Sequence, residues 1–144
     1  QIPAVPHGTW EVLRKGERVA ILAVGTMVHE SLKAVAALAA DGIDVTVVNC
    51  RYLKPYDETT LAAILATHDR LLVVEEGTVV NGFGAFMASV VAKHDDDVRV
   101  HTLGVPDRII YAASRAKQLA QSGIDAAGIA RAVRALRESE ALAG

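Results

Sequence analysis

Val19-Ala20-Ile21-Leu22-Ala23-Val24-Gly25-Thr26 is the stretch that decides the fold. Its first five residues form an unbroken apolar run, short enough for a strand buried on both faces. Gly25-Thr26 closes the run, and Thr26 is placed to cap a helix from Met27 to about Ala40. Gly42 then stands where a left-handed helix stop is expected. Strand, short loop and helix make one unit, and the unit recurs downstream. Val45-Thr46-Val47-Val48 predicts the next strand, and Asp57 can cap a helix around Glu58 to Thr67. Leu71-Leu72-Val73-Val74 predicts a third strand, ending at Glu75-Glu76. Gly82-Phe83-Gly84 opens a helix from about Ala85 to Lys93, Asp95-Asp96-Asp97 is a solvated turn, and Val98 to Leu103 is a further strand. The tail is helical: Ser114 caps one helix, Gly123 stops it, and Asp125 caps the last.

Such alternation predicts an α/β fold with a parallel sheet and helices on both faces. Upstream, Thr9 to Leu13 alternates like a short strand, and Arg14-Lys15-Gly16-Glu17 reads as a turn. No helix separates that strand from Val19, so it need not be parallel to it. Residues 1–8 hold two prolines and no periodicity and read as a linker remnant, leaving 9–144 as one domain. The first residue is Gln, which suggests a piece of something longer.

The 144 residues amount to one domain, large enough to fold without disulfide or metal. A net charge of −2 offers no long-range attraction for nucleic acid or an anionic membrane, so neither is an expected partner. Cys50 is the only cysteine, which excludes an intrachain disulfide and a cysteine-based zinc cluster. The five histidines are isolated, with no metal-binding pair among them. The longest apolar stretch, Leu71 to Ala92, is interrupted by Glu75, Glu76, Asn81 and glycines, so no membrane span is predicted.

A phosphate loop, a complete dinucleotide fingerprint, a nucleophile elbow and a Gly-Asp-Gly motif are all missing from the sequence. Ligands of open α/β sheets gather at the strand C-termini, and four such places bear polar or glycine residues. At Gly25-Thr26 a helix N-terminus could hold an anion or simply be capped. In Arg51-Tyr52-Leu53-Lys54-Pro55-Tyr56-Asp57, Arg51 and Lys54 could meet a phosphate or a partner chain. The structural alternative pairs Arg51 with Glu75 or Glu76, with Pro55 fixing the turn and Asp57 capping the helix. Glu75 and Glu76 point to opposite faces of a strand and so cannot act as an acid/base pair. Gly82 and Gly84 allow close approach of a ligand or another domain. Gly104-Val105-Pro106-Asp107-Arg108 makes a turn in which Asp107 and Arg108 cap or pair. No residue is assigned as catalytic, cofactor-binding or metal-ligating. Arg51, Lys54, Pro55, Asp57, Glu75, Glu76, Gly82, Gly84, Gly104, Pro106, Asp107, Ser114 and Arg115 stand as structural or interface candidates.

Taken in order, Arg51 to Asp57, the Val-Glu-Glu-Gly-(x)4-Gly-Phe-Gly run from Val74 to Gly84, and Leu103-Gly104-Val105-Pro106-Asp107 resemble the C-terminal domain of transketolase-type enzymes. The tail, from Ser114-Arg115 through Leu119 and Gly123-Ile124-Asp125 to Gly128-Ile129, is similar to the end of the 1-deoxy-D-xylulose-5-phosphate synthase family. The resemblance spans about residues 9 to 138. It departs at Gly77, where the family usually has Asn, and at Ala112-Ala113, where it often has His-Gly. It implies a three-layer α/β/α sandwich around a five-stranded, mostly parallel sheet whose first strand is antiparallel. It also implies a cytoplasmic, homodimeric, three-domain transferase for isoprenoid precursors that uses thiamine diphosphate and Mg2+, both held by the other two domains. The C-terminal domain then packs against those domains, binds no cofactor and is inactive alone. The same domain of a transketolase or of a 2-oxo-acid dehydrogenase β subunit is the nearest alternative. A stand-alone module binding a small anion is an alternative of another class.

Overall fold

In the computed structural model, which describes residues 3–94 and 97–139, everything is arranged around one central strand. Two residues of the anticipated linker (Gln1, Ile2), two of the anticipated acidic turn (Asp95, Asp96) and residues 140–144 lie outside that range. The elements run β1 (Glu11–Arg14), β2 (Arg18–Ala23), α1 (Met27–Ala40), β3 (Thr46–Asn49), α2 (Glu58–Leu65), β4 (His68–Thr78), α3 (Phe83–His94), β5 (Arg99–Val105), α4 (Arg115–Ser122) and α5 (Ala126–Glu138).

The strand order is β1-β3-β2-β4-β5. β2 lies between β3 and β4, with Ile21 in register with Val47 on one side and Leu72 on the other. β2, β3, β4 and β5 are mutually parallel, and β1 runs antiparallel to β3. The period of two along β2 sends its side chains into two separate cores. Val19, Ile21 and Ala23 pack with α1, α4 and α5, while Ala20 and Leu22 pack with α2 and α3. The result is a three-layer α/β/α sandwich, with the sheet mostly parallel and its first strand antiparallel, as the resemblance implied.

The helix stops follow local chemistry. Gly42 (φ 71°) and Gly123 (φ 69°) are left-handed, closing α1 and α4. Asp57, Ser114 and Asp125 each accept a backbone N–H from the first turn of the helix they precede. Boundaries differ where tertiary pairing intervenes. β4 starts at His68 and runs to Thr78, because β2 pairs with its first residue and β5 with its last. α3 begins at Phe83, two residues ahead of the expected Ala85. β1 lies at Glu11–Arg14, so Arg14 extends the strand and is not part of the turn. Among the described residues no helix is long and apolar enough to cross a membrane.

Candidate functional site: the C-terminal edge of the sheet

All four parallel strands deliver their loops to one edge, and the candidate residues gather there. Glu75, on the α3 side of β4, is 4% exposed. Its two carboxylate oxygens accept the backbone N–H groups of Phe83 (3.1 Å) and Gly84 (2.6 Å). A strand carboxylate thereby caps the following helix from outside and complements its positive end. The glycines fit around this contact. A Cβ on Gly82 would fall on the Glu75 carboxylate and the Thr78 carbonyl, and one on Gly84 would fall on the Thr102 side chain of β5. Gly104, buried in β5, approaches the Gly77 carbonyl and the Val79 side chain in the same way.

Glu76 emerges on the other face. Its carboxylate pairs with Arg115 at 2.7 Å and accepts the hydroxyl proton of Thr26, while Arg115 also donates to the Thr26 oxygen at 2.9 Å. Three segments, after β2, at the end of β4 and at the start of α4, are clasped together. Thr26 occupies the cap position of α1 but makes no side-chain cap bond, correcting the sequence expectation: the Glu76 carboxylate, fifty residues on, captures its hydroxyl. Beside the clasp is a cavity of about 280 Å3 lined by Glu76, Val105, Ile110, Arg115, Leu119 and Ile124, among others.

The expected pairing of Arg51 with Glu75 or Glu76 does not occur. Arg51 follows β3 and the glutamates lie near the end of β4, and β2 stands between the two strands. The Arg51 guanidinium turns toward β1 instead, donating to the Thr9 carbonyl (3.2 Å), the Thr9 hydroxyl (3.0 Å) and the Trp10 carbonyl (3.3 Å), with Glu11 at 3.7 Å. Asp57 binds the same segment. Its carboxylate accepts the Thr60 N–H (2.9 Å), the Thr60 hydroxyl (2.8 Å) and the Trp10 N–H (2.8 Å), and the Trp10 indole N–H donates to the Tyr52 carbonyl. Burial pushes the Asp57 carboxyl up, but these hydrogen bonds together hold it below its ordinary value. Lys54 and Pro55, joined by a cis peptide bond, are exposed at the tip.

Pro106 and Asp107 follow β5, with Asp107 exposed. Arg108 donates to the Gln121 carbonyl at 2.9 Å and so ties this turn to the end of α4. Ser114 and Arg115 open α4.

Chemically, the edge is occupied with its own bonds. Among the described residues no group of three His, Cys, Asp or Glu could hold a metal ion. Burial, and then the charge of Asp57, push the Cys50 thiol up from its ordinary value, which disfavours the thiolate. A larger cavity, about 530 Å3, lies away from this edge, between β1 and α2 and lined by Thr46 and His68.

Sequence reasoning missed the Thr26–Glu76–Arg115 clasp and two further links. Thr46 and His68 hydrogen-bond at 2.8 Å in the interior, and Glu30 accepts the Ala126 N–H at 3.0 Å, joining α1 to α5. No spacing signal encodes these, because each depends on which strands and helices become neighbours.

Comparison with known proteins agrees with the architecture. A family profile described as "Transketolase, C-terminal domain" matches residues 8–129. Over 141 residues the chain is 45% identical to a 1-deoxy-D-xylulose-5-phosphate synthase of Synechococcus sp. (strain JA-2-3B'a(2-13)), a match covering 97% of this chain and 22% of that one. With the synthase of Aquifex aeolicus it shares 44% identity over 127 residues, or 88% of this chain and 20% of that one. The chain therefore spans about a fifth of the length of the curated relatives it matches. Among solved structures, a split-gene transketolase described as an inactive beta4 tetramer superposes with a TM-score of 0.77 at 27% identity, covering 90% of this chain and 42% of that one. A transketolase mutant from Pichia stipitis shares the fold at a TM-score of 0.62 and 15% identity, covering 86% of this chain and 17% of that one. With its five-stranded sheet, its Glu75-capped helix and 122 consecutive residues under the profile (8 to 129), this chain belongs to the transketolase C-terminal domain family.

Proposed function

We propose that residues 9–144 are the C-terminal domain of a 1-deoxy-D-xylulose-5-phosphate synthase, with 1–8 the end of the linker leading into it. The observation that carries this is the 45% identity to such a synthase along 97% of the chain. In that reading the whole enzyme condenses pyruvate with glyceraldehyde 3-phosphate, releases carbon dioxide and yields 1-deoxy-D-xylulose 5-phosphate. This domain does none of that chemistry itself. It packs against the other two domains and supports a cytoplasmic homodimer.

In this reading thiamine diphosphate and Mg2+ are held by the other two domains. Both oxygens of the buried Glu75 are engaged by backbone N–H groups, which supports a framework role for it, and no catalytic step is assigned to this chain's residues. Arg51, Lys54, Pro55, Asp57, Glu75, Glu76, Gly82, Gly84, Gly104, Pro106, Asp107, Ser114 and Arg115 act in this reading as framework and interface residues. The same domain of a transketolase fits the fold equally well, but the 27% identity of the split-gene transketolase is well below that of the synthases.

The test is a graft. Replacing the matched C-terminal fifth of the Synechococcus synthase with this chain should give an active synthase, while the chain alone neither turns over substrate nor binds thiamine diphosphate. Turnover by the isolated chain, or a folded but inactive graft, would refute the proposal.

A further inference from the structure

Ile109 and Tyr111 are 80% and 79% exposed, far more than the next large apolar side chain among the described residues, Val80 at 51%. Both lie on the segment between β5 and α4, which contains no helix or strand. The segment is nevertheless held in place. The Arg108 side chain donates to the Gln121 carbonyl, the Gln118 amide donates to the Tyr111 carbonyl at 3.5 Å, and Arg115 closes the far end against Glu76 and Thr26. Ile110, between the two exposed residues, lines the cavity with Val105, Leu119 and Ile124. The middle residue anchors the segment while its neighbours project outward. Apolar side chains presented this way on a tethered backbone are the mark of a contact surface. The charges at its foot, Glu76 and Arg115, neutralise one another, so a partner can cover them without stranding a buried charge.

The occupant follows from the lengths. The matched region takes up 22% of the Synechococcus synthase, leaving most of that enzyme to be docked against. A second copy is a poorer fit, because two projecting tips facing each other across a two-fold axis bury little surface. Resting on the functional reading above, we propose that the 106–114 segment, anchored by Ile109 and Tyr111, is where this domain docks on the remaining, cofactor-carrying part of the synthase.

Thiol labelling tests this on the free chain and on the graft, with labelled sites read by peptide mass spectrometry. A Tyr111→Cys variant provides the probe. A Glu17→Cys variant marks the exposed turn before β2 as control, and the native Cys50, 2% exposed, reports that the domain is folded. The thiol introduced by Tyr111→Cys should label at least about tenfold more slowly in the graft than in the free chain, as a mostly docked population requires. The Glu17→Cys thiol should label equally in both. Equal rates at position 111 in an active graft would overturn the docking face and leave the functional reading intact. Protection at position 111 that grows with concentration of the free chain would overturn it in favour of a second copy. A graft that is inactive with Cys50 protected defeats the functional reading, and the docking face with it. Labelling of Cys50 in the graft shows that the domain is not folded beside that partner, and a docking face there does not survive that result.

Discussion

Glu75 accepts the backbone N–H of Gly84 at 2.6 Å, while the next residue, Glu76, reaches the opposite face of the strand to pair with Arg115 at 2.7 Å. Two adjacent carboxylates at one strand end therefore have unrelated roles. One fastens α3 to the sheet in a buried setting, and the other ties three loops together at the surface. The difference in exposure makes their energetic weights predictable.

Glu75→Ala removes the acceptor from two backbone N–H groups at the buried start of α3. Leaving such donors unmatched costs about 1–3 kcal/mol, which urea unfolding of the isolated chain will show as a lower midpoint. Glu75→Gln keeps one carbonyl acceptor and turns an amide N–H toward the other donor, so its loss should be intermediate. An alanine variant as stable as the parent would mean that water meets these N–H groups and that the cap is dispensable.

Gly84→Ala tests the packing of α3 on β5. In an exposed helix interior this change gains about 1 kcal/mol. Here the new methyl would fall on the Thr102 side chain, so the net effect should be destabilising by about 1–3 kcal/mol. Thr102→Ala in the same background should restore part of the loss, since it removes two of the three atoms met. A double-mutant cycle on unfolding free energies measures that coupling, and strict additivity would show that the two sites do not touch.

How far these contacts were legible in the sequence depends on distance along the chain. Asp57, Ser114, Asp125, Gly42 and Gly123 cap or stop helices within a few residues of themselves, and their identities suffice to place those caps and stops. The unbroken apolar run of β2 was equally plain, because a strand apolar on both faces needs a layer on each. Thr26 looked like another cap, but its local N–H acceptor role competes with the Glu76 carboxylate, which only folding brings near. The pairing suggested for Arg51 failed for the same reason. Its partner depended on the strand order, and with β2 between β3 and β4 the nearby acceptors belong to β1. The early start of α3 is a third case, since the acceptor that permits it comes from the preceding strand.

Arg115→Ala should affect stability little, despite the short contacts. Both partners are exposed, with the Arg115 and Glu76 side chains 55% and 43% open to solvent. Exposed pairs of this kind contribute at most about 1 kcal/mol, and salt screens them. Unfolding in 0.1 M and about 1 M salt should therefore show a small deficit that shrinks at high salt, where the screening length falls to about 3 Å. A loss of several kcal/mol, independent of salt, would show that the clasp organises the edge of the fold and does not merely decorate it.

Asp57 should account for part of the acid sensitivity. Burial raises its carboxyl, but the Thr60 and Trp10 N–H groups and the Thr60 hydroxyl outweigh that and leave the folded value below the ordinary 3.8. Because the folded value is depressed, the carboxylate contributes stability above the unfolded value, and that contribution is lost as pH falls through the folded value. At pH 7, Asp57→Ala should cost about 1–2 kcal/mol, the usual loss of a helix N-cap. Below the folded value the native carboxyl is protonated in both states, so the gap between parent and variant should narrow. Glu30, whose carboxyl is also lowered, by the Lys33 hydrogen bond first and the Ala126 N–H in lesser part against opposing burial, remains in both proteins and cancels in the comparison. Urea midpoints of the two proteins, followed from neutral pH down to about 2, decide the matter. A gap that stays constant throughout would assign the effect of Asp57 to shape alone and not to its charge.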